Sequence, residues 1–254
     1  MIDPYAESVR HGLAAGIKLP EGISSSAMQH PSTGMFARRL LVAAVLMVGV
    51  GLACGPGPAR AQGPSTADKP LRLGVNYSRA EQSRFPFGNI NYEHRSQGLK
   101  LQAAWTFAQR RRWDFELLLE PSVYGTYHRL VNPSFLQPWH YTDYEGQRAR
   151  FSRGRNLVEF ALNVGAVARW RVGGGVSAYG LASIGPMISG RDTERLRRGF
   201  AFSDILGLGL AYRRGRGYVD LRATVRHNSN AALALPNYGH NTAGGEVGVG
   251  WYLR

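Results

Sequence analysis

The stretch VRHNSNAALALPNYGHNT, Val225–Thr242, concentrates groups that do chemistry. It holds two histidines, one serine and four asparagines in eighteen residues. His227 and Ser229 stand two positions apart. In an extended strand, that spacing puts both side chains on one face, close enough to meet. A histidine within reach of a serine is the minimal arrangement for a general base and a nucleophile. The plain alternative is a polar loop end in which His227 is only solvated.

The elements that carry this stretch are strands. No long segment after residue 62 keeps a 3.6-residue apolar period, whereas period-2 alternation recurs. Eight strands are predicted near 70–79, 98–108, 113–127, 156–170, 175–187, 199–213, 217–229 and 241–253. In the seventh, Val219, Leu221, Ala223 and Val225 alternate with Asp220, Arg222, Thr224 and Arg226. In the fourth, Val158, Phe160, Leu162 and Val164 oppose Glu159 and Asn163. One face of most strands is continuously apolar, and the other mixes acids, arginines, Asn, Ser, Tyr and glycine. That second face suits a small polar lumen better than a water-washed exterior. Predicted connections alternate long and short, as expected of outer-membrane barrels with tight periplasmic turns and longer outside loops. The fold class expected is therefore all-β, an eight-stranded antiparallel transmembrane β-barrel. A secreted soluble β-sandwich is the alternative.

The first part of the chain agrees with export. MFARRLLVAAVLMVGVGLACGPGPARAQG has a basic start at Arg38 and Arg39, an uncharged apolar run from Leu40 to Ala53, and small residues before Gln62. This is the layout of a secretory signal, and the run is short for a membrane-spanning helix of about 20 residues. Residues 1–34 read as an extension ahead of the true start at Met35, residues 35–61 as the signal peptide, and residues 62–254 as the barrel. Cys54 in GLAC raises a lipoprotein alternative, with its leucine one place too close to the cysteine. A single cysteine excludes a disulfide framework.

Charge is lopsided, with 31 Lys plus Arg against 17 Asp plus Glu. A polyanionic partner is implied, and export makes it an anionic membrane surface or glycolipid rather than nucleic acid. By parity, His227 and Ser229 continue the apolar, lipid-facing side of strand seven at its outer end. Polar groups there are costly without a purpose. The substrate they point to is a lipid reached from the outer leaflet.

RHNSNAALALPNYGHNT resembles the signature of the outer-membrane lipid A 3-O-deacylase (PagL) family: His-x-Ser-Asn-Ala, then Pro-Asn-x-Gly, opening the last hairpin of an eight-stranded barrel. The matching residues are His227, Ser229, Asn230, Ala231, Pro236, Asn237 and Gly239. The resemblance implies a serine esterase acting on lipopolysaccharide in the outer membrane of a Gram-negative bacterium, without a cofactor. It assigns Ser229 as nucleophile and His227 as base. The family's third member, a glutamate fourteen residues after the histidine, falls on Asn241. An amide there can orient the imidazole but cannot stabilise its cation by charge. A catalytically silent surface barrel is therefore the rival reading.

Further expectations concern the surroundings. Asn230 is expected to offer its backbone N–H, and Asn237 its amide, to a developing oxyanion; plain turn chemistry is the alternative for Asn237 and Gly239. Arg148, Arg150, Arg153 and Arg195, in the outer loops, are expected to meet lipopolysaccharide phosphates. His240 reads as a solvated loop residue. Glu246 has lumen parity. The seven histidines are scattered in sequence, so no metal site is expected. Pairing of two barrels into a homodimer stays open.

Overall fold

The computed structural model describes residues 70–82 and 86–253. The expected signal peptide, the extension before it and Cys54 lie outside the described residues.

Eight antiparallel strands close into one barrel: β1 (Leu71–Glu81), β2 (Tyr92–Arg110), β3 (Trp113–Leu130), β4 (Arg155–Gly173), β5 (Val176–Ser189), β6 (Gly199–Arg214), β7 (Gly217–Ser229) and β8 (His240–Leu253). Each pairs with its neighbour in sequence, and β1 pairs with β8, Leu71 opposite Leu253, to seal the ring. Closure leaves no sheet edge, the condition for strands in lipid.

Alternation decides what each side of the wall faces. Leu73, Leu101, Leu119, Phe160, Leu208, Leu221 and Val249 point outward and are exposed, Leu208 by 73%. An apolar exterior of this extent is uphill in water and matched to hydrocarbon. Trp105, Trp113, Trp170, Tyr212 and Trp251 cluster outward where the tight turns lie, as the aromatic girdle of a bilayer interface does. This is a transmembrane β-barrel of the outer membrane.

The inward face is polar, and its charges are paired. Lys100 Nζ donates to Glu120 at 3.0 Å and to Glu246 at 2.7 Å, and Arg222 bonds both carboxylates. Glu246 thus faces the lumen, as its parity predicts. Nearer the turns, Glu116 accepts from Arg72 and Arg169. Nearer the loops, Arg226 donates to Glu159 at 2.9 Å. A buried ion survives in a low-dielectric interior only when partnered in this way.

The tight turns are residues 111–112, 174–175 and 215–216; the long loops are 82–91, 131–154, 190–198 and 230–239. The alternation agrees with the sequence expectation. The 131–154 loop contains one element the strand pattern did not announce, α1 (Tyr144–Ser152), capped by the Asp143 side chain accepting from the Gly146 N–H. Its Phe151 packs with Leu130 and Leu136 over the barrel mouth. Strand β2 also starts earlier than expected. Its first residues, YEHRSQ, rise above the lipid, so they carry no outward apolar stripe to betray a strand.

Candidate active site

Register assembles the candidate site on the outer face at the loop end. In β7, His227 lies opposite Asn241 of β8 on one side and Asp204 of β6 on the other. Ser229 lies opposite Phe202. Directly opposed side chains in antiparallel strands have Cβ atoms about 4.5–5.5 Å apart. One row across three strands therefore reads Asp204, His227, Asn241, and the next reads Phe202, Ser229. The pair expected from sequence lies on one face, with the residue expected to orient it alongside.

His227 Nδ1–H donates to Asn241 Oδ1 at 2.6 Å. That bond fixes the neutral tautomer: Nδ1 carries the proton and Nε2 carries the lone pair, so Nε2 is the basic atom. Asp204 is the residue that sequence reasoning missed. It is buried and its Oδ1 has no hydrogen-bond partner among the described residues. In the sequence it is a single acid in the apolar stretch FAFSDILGL. Its relation to His227 depends on a pairing between separate strands, although its even parity in β6 does announce an outward carboxylate.

The loop after Ser229 is built by asparagines. Asn230 N–H donates to Asn237 Oδ1 at 2.8 Å. The Asn230 N–H is therefore engaged in orienting Asn237, which differs from its expected role as a direct oxyanion donor. With its oxygen committed, Asn237 can offer only its NH2 to a ligand. Asn230 also accepts from the Ala232 N–H and donates to Ala234 O, folding the chain into a tight turn in which Ala231 and Ala232 take positive φ. Gly239, at φ +67°, passes directly over His227: a Cβ there would meet Asn228 O at 2.6 Å and His227 Cε1 at 3.1 Å. The Pro-Asn-x-Gly ending is thus needed for close approach as well as for turning.

A second loop holds this one in place. Leu196 and Asn237 form an isolated bridge, and the Tyr238 and Gly239 N–H groups donate to Arg195 O. The Arg195 guanidinium donates to Gly239 O at 2.7 Å and Tyr238 O at 3.2 Å, and lies over the ring of Tyr92. Arg195, expected to bind phosphate, is a clamp on the site loop. Arg148, Arg150 and Arg153 lie on or just after α1. Arg148 stacks on Tyr144, and Arg150 reaches Asp192 at 3.5 Å. Arg150 and Arg153 are exposed.

His240 departs most from expectation. It is fully buried in the lumen, stacked on His94 at 4.2 Å and edge-on to His128. Its even position in β8 sends it inward, while Asn241 next to it points out. Three histidines scattered in sequence are thereby brought together, against the expectation of no metal-ligand cluster.

This chain is similar to several known proteins. Residues 123–250 match the family described as Lipid A 3-O-deacylase (PagL). No curated protein matches the chain. Among solved structures, the outer membrane enzyme PagL is similar at 17% identity and a TM-score of 0.45, covering 70% of this chain and 97% of that one. Neisserial surface protein A is similar at 12% identity and a TM-score of 0.39, covering 71% and 96%. Ail, the attachment invasion locus protein of Yersinia pestis, is similar at 14% identity and a TM-score of 0.34, covering 72% and 97%. The family match takes in the strands β4 to β7 whole, the end of β3, most of β8, and the whole His227–Asn241 stretch, and the chain, an outer-membrane barrel of a Gram-negative bacterium, belongs to the lipid A 3-O-deacylase (PagL) family.

Proposed function

We propose that this barrel is a serine esterase that hydrolyses an ester-linked acyl chain of lipid A, at the 3-position that gives the family its name. The observation that carries the reading is the Nδ1–H bond from His227 to Asn241, with Ser229 on the same outward face. Ser229 Oγ attacks the ester carbonyl as His227 Nε2 takes its proton. The tetrahedral oxyanion is met by the Asn237 NH2, held by the Asn230 N–H. Collapse expels the sugar alkoxide, which takes the proton back from His227, and leaves an acyl-serine. Water, deprotonated by the same nitrogen, then releases the fatty acid.

The missing glutamate is answered in two parts. Asn241 sets the orientation and tautomer of His227. Asp204, across the other strand, supplies the negative charge that favours the imidazolium as it forms. The outward Phe202, Leu206 and Leu208 of β6 continue below Ser229 and offer an apolar track to the acyl chain, while Arg148, Arg150 and Arg153 face the level of the lipopolysaccharide phosphates.

A silent barrel is the second reading, and Asn241 is the observation that favours it. Expression in cells with fully acylated lipid A separates the two. The esterase reading expects lipid A lighter by one hydroxyacyl chain, seen by mass spectrometry, and unchanged lipid A with Ser229→Ala. Identical lipid A with wild-type and Ser229→Ala protein, both folded in the outer membrane, overturns it.

A further inference from the structure

The lumen just behind the candidate site holds a cluster of histidines to which esterase chemistry gives no task. His94 comes from β2, His128 from β3 and His240 from β8, all buried. One ring nitrogen from each can be chosen so that all lie within 4.8 Å of one another. His94 Nδ1 and His128 Nδ1 are 3.1 Å apart. In a tetrahedral zinc site, Zn–N bonds of about 2.0–2.1 Å put ligand nitrogens roughly 3.3 Å apart. Two of the three are therefore already at ligand spacing.

The surroundings are those of a ligand set. His128 Nε2 is 2.8 Å from Glu194 Oε2, so its distal N–H is held by a carboxylate and its Nδ1 lone pair turns toward the cluster. His240 Nε2 is 3.0 Å from Thr193 Oγ1, which again leaves Nδ1 as the inner atom. Carboxylate and hydroxyl partners on the far nitrogen are what orient metal-bound imidazoles. Meanwhile His240 Nδ1, the inner atom of its ring, is buried with no hydrogen-bond partner among the described residues. Such an orphaned polar atom costs about 1–3 kcal/mol, and an ion would relieve that cost.

Two cations stand near. Arg226 is neutralised by Glu159. The Arg195 guanidinium is engaged by loop carbonyls, and Glu194 adds a negative charge beside the rings. Nitrogen-only first ligands with a carboxylate behind them select borderline divalent ions over magnesium or calcium.

We propose that His94, His128 and His240 bind one divalent transition-metal ion of the zinc class inside the outer mouth of the barrel, with Glu194 orienting His128 from behind. The stacked rings of His94 and His240 fan apart as the ion enters. Bound there, the ion joins β2, β3 and β8, and His128 carries the link on to Glu194 of the 190–198 loop. It fixes the start of β8, where His240 is followed by Asn241. The role is a strut behind the candidate site, taking no part in bond making.

The test uses the untagged barrel, refolded in detergent from metal-free denaturant, with cobalt(II) alone as the first probe. The expectation is one cobalt retained per barrel after desalting, visible d–d bands of low coordination number, and their loss when zinc(II) is added. Zinc should also raise the temperature at which the barrel loses its compact, heat-modifiable form. His94→Ala and His240→Ala should retain no cobalt, while Ser229→Ala should retain it in full. Folded wild-type barrel that keeps no cobalt overturns the proposal, and so does equal retention by folded His240→Ala. If the alanine variants do not fold, the wild-type spectrum and stoichiometry decide alone.

Discussion

Two rows of polar side chains run along the same strands on opposite faces of one wall. Inside, Arg222 and Glu246 sit on β7 and β8, bonded to each other and to Lys100 and Glu120. Outside, a few residues further along, Asp204, His227 and Asn241 span β6, β7 and β8. The inner row is closed: each charge has an opposite charge within hydrogen-bond distance. The outer row is open, with a carboxylate oxygen on the membrane face that has no hydrogen-bond partner among the described residues. A closed polar row serves the fold, because breaking it leaves an ion stranded. An open one stays costly until something else completes it, and here a substrate is the candidate. Polarity alone does not tell structure from function in this barrel; the balance of partners does.

The sharpest way to break the comparison is Ser229→Ala. Deacylation should fall on the order of 10⁶-fold in kcat, as for loss of a serine nucleophile, while the heat-modifiable band of the folded barrel is unchanged. Glu120→Ala should do the reverse. It leaves Lys100 and Arg222 sharing the single carboxylate of Glu246, one buried positive charge uncompensated, and should cost about 3–5 kcal/mol of stability, read by urea titration of the barrel in detergent. The folded fraction should keep its turnover rate, and a selective loss of kcat at full stability would merge the two rows into one. Asn237→Ala should lower kcat about 10²–10³-fold through the lost oxyanion donor, with KM little changed in micellar assays. Asp204→Asn is the finest test of the open row. Removal of its charge should lower kcat roughly tenfold, the worth of about one pKa unit of support for the imidazolium. An Asp204→Asn enzyme as fast as wild type would return the whole burden to Asn241.

Much of this was legible in the sequence because lipid imposes a strict alternation. A residue at the wrong parity in the hydrocarbon layer is heavily penalised, so the apolar faces of β3, β4, β7 and β8 could be read directly. Parity also put His227, Ser229 and Asn241 outward and Glu246 inward. The readable signal stopped where the bilayer stops. Above the membrane both faces of a strand are free to be polar, and the first residues of β2 went unseen along with α1. It was weak, too, wherever partners come from distant strands. Asp204 meets His227 only through the β6–β7 register. His94, His128 and His240 come from three strands, β2 and β3 side by side and β8 on the other side of β1. The role of Arg195 needed the bridge between loops, since an arginine in a basic loop looks the same whether it awaits a phosphate or grips a carbonyl.

That bridge, Leu196 to Asn237, divides the four outer loops into two kinds. Surface loops of an outer-membrane protein are where length and sequence are free to drift under pressure from antibodies, phages and predators. Among the described residues, the 131–154 loop makes no backbone hydrogen bond to the 230–239 segment. The 190–198 loop differs, because its backbone is paired to the segment that lies over His227, and an insertion there would pull the turn of the candidate site out of register. An engineer seeking a place to display a peptide on this barrel should leave the 190–198 loop alone.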